Sequence, residues 1–240
     1  MQNFIRYFIN LFDKISNRKV IKELKKYFFD DINIFFDVGG HHGETIIWLV
    51  KFFKIKNSYI FEPNFNSYNI LKKKVSKINE KFIINTYNFA LGNENKEVNL
   101  KEFVESSSST LHDLDETTQY YKRKKKILTL FFDKKLFHEK RVRVVNFVDF
   151  IFEQKINYID LLKIDTEGYE FYILKGLNDF LEKVKVIYFE HHFDLMIKKG
   201  YKFNDINQLL TQSGFKQIFK NKMIFRKSFE YIYINSNIKW

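Results

Sequence analysis

Short apolar runs in this chain repeatedly end on acidic residues or histidines, a placement that suits ligand binding and proton transfer better than packing. The first such stretch is Asp37-Val38-Gly39-Gly40-His41-His42-Gly43-Glu44, which holds three of the chain's eight glycines within five residues. Glycines between a strand and a helix let a ligand approach the backbone closely, and a helix start offers free amide groups. A tight turn alone would use the same residues. The position two before Gly40 is Val38 and not glycine, so the dinucleotide fingerprint is not met and an NAD phosphate cradle is disfavoured. What remains is Asp-x-Gly-x-x-x-Gly.

Glu62 follows 19 residues after Gly43 and is followed at once by Pro63. At the tip of a second strand, such a carboxylate can accept hydrogen bonds from both hydroxyls of a ribose. The third stretch is Leu161-Leu162-Lys163-Ile164-Asp165-Thr166-Glu167-Gly168-Tyr169-Glu170, with Leu174-Lys175-Gly176 one helical length later. Asp165 and Glu167 stand at a strand's carboxyl end, where open parallel sheets bind ligands. One carboxylate there is readily an N-cap or first-turn charge; three acidic strand ends, Asp37, Glu62 and Asp165, are harder to explain as independent caps.

The fourth stretch is Glu190-His191-His192. A neutral imidazole there could accept a proton near pH 7, and with Asp165 and Glu167 it could form an oxygen and nitrogen metal site. A divalent metal is compatible with these residues but is not predicted. The alternative is a pair of partly exposed histidines without a catalytic role. Residues adjacent on a strand point to opposite faces, so spacing alone does not rank His191 against His192.

The elements that would position these groups alternate between strand and helix. Asn33 to Val38 reads as strand, Glu44 to Phe53 as helix, Tyr59 to Phe61 as a short strand, Asn66 to Ser76 as helix and Phe82 to Phe89 as strand. Val98 to Val104 reads as an extra strand and Val142 to Val145 as another, leading into a short helix. Tyr158 to Ile164 (strand), Tyr169 to Leu177 (helix) and Val184 to Phe189 (strand) follow. This order is the signature of a mostly parallel α/β sheet. Phe215 to Phe219 and Tyr231 to Ile234 alternate without an intervening helix and predict an antiparallel hairpin closing the sheet. The least core-like stretch, Glu105 to Lys126, holds Ser106 to Ser109, Asp113, Asp115, Glu116 and the run Lys122 to Lys126; it reads as a solvated insertion or a loop over a site.

At the start of the chain Phe4, Phe8, Leu11, Phe12 and Ile15 fall at helical spacing. A helix packed on the following domain is the commoner use of such a stripe, and an amphipathic membrane-surface helix is the other. The organisation expected is a helical extension over residues 1–32 and one domain over 33–240, with an insertion at about 105–140. No apolar run approaches the roughly 20 residues that span a bilayer, and the first 15 residues lack a signal peptide's charged lead and cleavage site. Cysteine is absent, which excludes disulfides, thiolate metal sites and a Cys nucleophile and fits a reducing compartment. A cytoplasmic protein with an optional peripheral membrane contact through residues 1–15 is therefore expected.

The formal charge of +12 first suggests nucleic acid. Of the 41 basic residues, however, only 6 are Arg and 35 are Lys, whereas base and phosphate recognition leans on the bidentate Arg fork. Ala90 is the only alanine and Pro63 the only proline, a bias expected from AT-rich codon use.

Together the motifs Asp37-Val38-Gly39 through Gly43, Phe61-Glu62-Pro63, Ser109-Thr110-Leu111 and Lys163 to Glu170 with Leu174-Lys175-Gly176 resemble, in order, those of the FkbM-type S-adenosylmethionine-dependent methyltransferases. The resemblance covers about Asn33 to Ile234 and implies a Rossmann-like, seven-stranded class I methyltransferase fold with a terminal antiparallel strand. It implies that Asp37, Gly39 and Gly43 wrap the methionine part of the cofactor and Glu62 holds its ribose. The segment around Asn88 to Leu91, with Asn88 and Ala90, would flank the adenine, and Asp165 would lie near the methionine end and the acceptor. The family usually has Ala-Asn where this chain has Gly40-His41, so a side-chain contact from that Asn is lost or replaced by the His41 imidazole. The activity implied is methylation of a hydroxyl on a sugar or similar small metabolite, with Asp165, His191 and His192 as candidates for the base. A lysine-rich nucleic-acid binder or nucleic-acid methyltransferase, and a non-catalytic binding module on the same fold, are the alternatives.

Overall fold

The computed structural model describes residues 16–28, 31–78, 82–103, 109–129, 136–223 and 227–238. The apolar stripe from Phe4 to Ile15, with its membrane-surface alternative, lies outside these residues, as do Ser106 to Ser108.

Among the described residues ten strands form two sheets. The larger contains β1 (Asp31–Val38), β2 (Lys54–Phe61), β3 (Ile83–Tyr87), β7 (Ile159–Ile164), β8 (Val184–His192), β9 (Phe215–Lys222) and β10 (Ser228–Asn235), in the order β3-β2-β1-β7-β8-β10-β9. All neighbours are parallel except β10, which runs antiparallel to both β8 and β9. The chain builds outward from β1 on one side and from β7 on the other, so the strand order reverses between them. In open parallel sheets the ligand crevice lies at the strands' carboxyl ends beside such a reversal. Asp37 and Asp165 lie on its two sides.

Helices cover both faces. Helix α1 (16–28) buries Val20, Ile21, Leu24 and Phe28 at helical spacing against Ile32, Phe35, Ile46, Leu49 and Leu71, a cluster that also takes in residues of α2 (Glu44–Leu49) and α3 (Phe65–Val75). The opposite face packs α5 (Phe147–Glu153), α6 (Glu170–Gly176) and α7 (Phe203–Gln212) on Phe36, Phe61, Leu162 and Phe189. β7 is buried along its whole length, as expected of a central parallel strand covered on both sides.

Several sequence readings need correction. The second strand is eight residues long rather than three: Lys54, Lys56 and Asn57 disguise an alternating half that buries Ile55 and Ser58. The helix read over Glu44 to Phe53 ends at Leu49, and turns follow. The strands read at 98–104 and 142–145 do not join the main sheet. They belong to β5 (Lys96–Phe103) and β6 (Phe137–Asn146), antiparallel partners that form a three-stranded sheet with β4 (Ala90–Gly92). Finally, the lysine run lies on a helix, α4 (Gln119–Thr129). Tyr121 of α4 is buried in a third cluster with Phe103, Leu114, Met196 and Ile197, and backbone bonds from Asp115 to Met196 and from Lys198 to Asp113 fasten this insertion to the loop after β8. No helix among the described residues is long and apolar enough to cross a membrane.

Candidate functional site

β1 carries Asp37 into the crevice, and Gly39 turns the chain with φ 85°. The amides of Gly39 and Gly40 both donate to the Phe61 carbonyl at 2.9 Å, tying this loop to the end of β2. A Cβ on Gly39 would stand 1.9 Å from the Asp165 carbonyl oxygen, so the loops after β1 and β7 meet backbone to backbone. Gly39→Ala combines left-handed strain with this overlap and should destabilise the fold by roughly 2–4 kcal/mol, read as a lowered urea midpoint.

His41 also has positive φ, 43°, a conformation that Asn tolerates better than most residues. His41 keeps the backbone contact, donating its amide to Glu62 Oε2 at 2.8 Å, while its ring stacks on His42 with centroids 3.7 Å apart. Gly43, at φ 82°, precedes α2.

Glu62 lies one residue past β2 and is buried. Its Oε1 accepts from the Asn64 amide at 2.8 Å, and Asn64 in turn caps α3 through the amides of Asn66 and Ser67. Burial pushes the Glu62 carboxyl up to about 7, against the lowering effect of the Asn64 and His41 amides. Asn88 braces this corner, donating to the carbonyls of Glu62 (2.9 Å) and Pro63 (3.1 Å). Ala90, also buried, starts β4 opposite Val144.

Asp37 is fully buried. Lys163, from the neighbouring strand, places Nζ 3.2 Å from Asp37 Oδ1 and 3.4 Å from Asp165 Oδ2, and donates to the Gly39 carbonyl at 3.4 Å. The contact with Asp37 lacks hydrogen-bond alignment, and neither Asp37 oxygen accepts a hydrogen bond among the described residues. Burial raises the Asp37 carboxyl to about 6, opposed by Lys163. Burial also works against the Lys163 ammonium, but Asp37 and Asp165 outweigh it and raise its pKa above the usual lysine value. The sequence reading gave Lys163 no role. The available signal was a lysine inside an otherwise apolar, fully buried strand, which is tolerated only when paired.

The two histidines are not partly exposed; both are buried, and both lie within β8. They face opposite sides of the sheet. His191 Nδ1 lies 3.6 Å from Glu170 Oε2, and its ring packs among Phe193, Tyr201 and Phe203. Glu170 would be pushed up by burial, but His191, the Tyr201 hydroxyl at 2.5 Å and the Gly168 amide at 2.8 Å hold it at about 2. His191 therefore belongs to a buried knot that fixes the 165–169 loop.

His192 is the histidine grouped with Asp165. Its Nε2 lies 3.3 Å from both Glu167 Oε2 and Glu190 Oε1, and its Nδ1 lies 3.7 Å from Asp194 Oδ2. Burial would lower its pKa, yet Glu167, Asp194 and Glu190 together carry it to about 10. These carboxylates favour the protonated ring, which works against the neutral histidine base expected from the sequence.

The loop carrying Asp165 and Glu167 holds two positive φ angles, Glu167 at 50° and Gly168 at 105°. Thr110, from the insertion, donates to the Glu167 carbonyl at 2.8 Å, and His112 Nε2 lies 2.8 Å from the Gly168 carbonyl. The Ser109-Thr110-Leu111 triplet is thus part of a latch on the site loop, a function its sequence does not disclose.

The strand order, the glycine turn after β1 and the acidic ends of β1, β2 and β7 define a class I methyltransferase fold. The chain belongs to the FkbM methyltransferase family: the Methyltransferase FkbM domain matches residues 37–216. No curated protein matches it in sequence. Among solved structures, a methyltransferase FkbM from Methylobacillus flagellatus KT is 13% identical with a TM-score of 0.54, covering 85% of this chain and 44% of its own. This chain thus spans less than half of that protein. M. capricolum TrmK in complex with S-adenosyl-homocysteine is 12% identical (TM-score 0.50, 90% and 67% covered). Magnesium protoporphyrin IX methyltransferase from Synechocystis PCC 6803, with bound SAM, is 8% identical (TM-score 0.50, 95% and 84% covered). At these identities the likeness is one of fold.

Proposed function

We propose that this chain is an S-adenosylmethionine-dependent O-methyltransferase acting on a hydroxyl of a sugar or similar small metabolite. The observation that carries the reading is the convergence of Asp37, Glu62 and Asp165 on one crevice with the Gly39 turn between them. The residues suit the cofactor. Asp37 offers two buried carboxylate oxygens that accept no hydrogen bond among the described residues. At Gly40 a Cβ would meet Ile60 Cγ2 at 2.3 Å, so a glycine there lets the loop backbone lie directly on the core. Both Glu62 oxygens, each already accepting one amide, retain a lone pair for a ribose hydroxyl.

When bound, the cofactor supplies an electrophilic methyl group on a sulfonium. The chain's own residues do the rest. Glu62 holds the ribose, the Gly39 to Gly43 loop and Asp37 hold the methionine end, and Asn88 with Ala90 flanks the adenine. Asp165, with a side chain 36% exposed, is the carboxylate of this set that an acceptor can reach; it orients the hydroxyl and accepts its hydrogen bond. Holding acceptor and donor in line supplies up to roughly 7–11 kcal/mol of the barrier reduction. Incubating the protein with methyl-labelled S-adenosylmethionine and a panel of sugars, nucleotide sugars and other hydroxylated metabolites should transfer label to a hydroxyl. Calorimetry showing no cofactor binding at millimolar concentration would refute the reading.

A further inference from the structure

We propose that Asp165, Glu190 and His192 form a binding site for a divalent cation of the Mn²⁺ or Mg²⁺ class. Glu190 and His192 are two apart on β8 and so share a face. Ile164 of β7 pairs with Phe189 of β8, which brings Asp165, the next residue along, beside Glu190. Each of the three offers one ligand atom, and these atoms lie within 4.8 Å of one another.

A second observation points to a ligand rather than to charges grouped by chance. Glu190 and His192 are 8% and 9% exposed, and His192 Nε2 makes no aligned hydrogen bond although it faces Glu190 Oε1 and Glu167 Oε2 at 3.3 Å. Four carboxylates, Asp165, Glu167, Glu190 and Asp194, surround this one imidazole. Of the nearby lysines, Lys163 reaches Asp165 at 3.4 Å but is shared with Asp37, and the Lys199 ammonium donates to the His192 carbonyl. Carboxylates this close repel one another at low dielectric, and a divalent ion held between Asp165 and Glu190 relieves that repulsion. Once the ion displaces the His192 proton to solvent, two carboxylates and one imidazole suit the hard to borderline divalent ions, the nitrogen favouring Mn²⁺ over Mg²⁺.

Three protein ligands leave positions open on an ion that prefers six. On the methyltransferase reading, on which this last step rests, those positions face the acceptor beside Asp165 and select a substrate with two neighbouring oxygens, as in a vicinal diol. The ion would lower the pKa of the bound hydroxyl, and its proton passes to solvent water. The C–S bond of the donor then breaks as the O–CH₃ bond forms, and the electron pair leaves on sulfur.

The test uses the full chain, stripped with a chelator, and Mn²⁺ alone, followed by calorimetry and by electron paramagnetic resonance. One ion should bind, and Asp165→Asn, at a half-exposed position, should weaken it at least about tenfold, as should His192→Ala. Glu44→Gln, in the more exposed His41-His42-Glu44 group, should leave binding unchanged. No Mn²⁺ binding at about 1 mM, or binding that survives both Asp165→Asn and His192→Ala in variants whose circular dichroism is native, would overturn the site. Because cofactor and acceptor are absent, this result stands apart from the outcome of the cofactor titration.

Discussion

Replacing Glu62 with alanine is expected to weaken S-adenosylmethionine binding by roughly 10²- to 10⁴-fold in calorimetry. Two hydrogen bonds from ribose hydroxyls to an ionised carboxylate are worth about 1.5–3 kcal/mol each, and the substitution also strips the His41 and Asn64 amides of their acceptor. Glu62→Gln separates the two effects, because it keeps the side chain's length and one acceptor oxygen. The same residue dictates a pH dependence. In the cofactor-free protein its carboxyl sits at about 7 because burial disfavours the charge, and ribose hydroxyls donate to the ionised form. Affinity should therefore rise with pH, by up to about tenfold per unit below pH 7, and level off above it. Glu62→Gln should flatten this profile; a wild-type profile already flat between pH 6 and 8 would remove Glu62 from the cofactor site. Stability runs the other way. Glu62, raised from 4.5 to about 7, and Asp37, raised from 3.8 to about 6, favour the cofactor-free fold in their protonated forms. That contribution is complete below about pH 4 and is lost as pH rises through 6 and 7.

The second large effect belongs to Lys163. Lys163→Met should destabilise the protein by about 3–5 kcal/mol at pH 8, the cost of leaving a buried charge without its partner. Asp37 is fully buried and Asp165 is drawn to the same ammonium, so removing the cation leaves two carboxylates facing each other across the crevice. The loss should shrink at pH 5, where Asp37 can take up a proton, and Asp37→Asn in the Lys163→Met background should restore most of it. Urea unfolding of the four proteins of this double-mutant cycle at both pH values measures the coupling. Equal destabilisation at pH 5 and pH 8 would mean that Lys163 acts through packing of its stem and not through its charge.

Much of this architecture can be read along the chain. Apolar runs ending in Gly39-Gly40, Glu62-Pro63 and Asp165 mark β1, the last three residues of β2, and β7, because a buried parallel strand is largely apolar and must stop where the chain turns. The C-terminal alternation of apolar and polar residues marks β9 and β10 for the same kind of reason. The small sheet was less legible: β5 and β6 are rich in Lys, Glu and Arg and only sparsely buried, so their hydrophobic pattern does not say which sheet they join. Helix α4 was hidden by five consecutive basic residues. Among the described side chains it packs through the neighbouring rings of Tyr120 and Tyr121, which do not by themselves make a periodic stripe.

What the sequence by itself determined is the identity and order of the chemical groups: the glycine turn, the acidic strand ends and the two histidines, each at the carboxyl end of a strand. Strand spacing is local, so one-dimensional pattern suffices for it. Only the tertiary structure decided which groups meet. The register of β7 against β8 brings Asp165 beside Glu190, and the pleat of β8 sends His192 to that cluster and His191 to Glu170. The position of β7 beside β1 gives Asp37 its lysine, and the insertion's path puts Thr110 on the Glu167 carbonyl. Such pairings depend on contacts between residues as much as 126 positions apart, as Lys163 and Asp37 are. They follow from how the sheet is ordered and registered, which local periodicity does not encode.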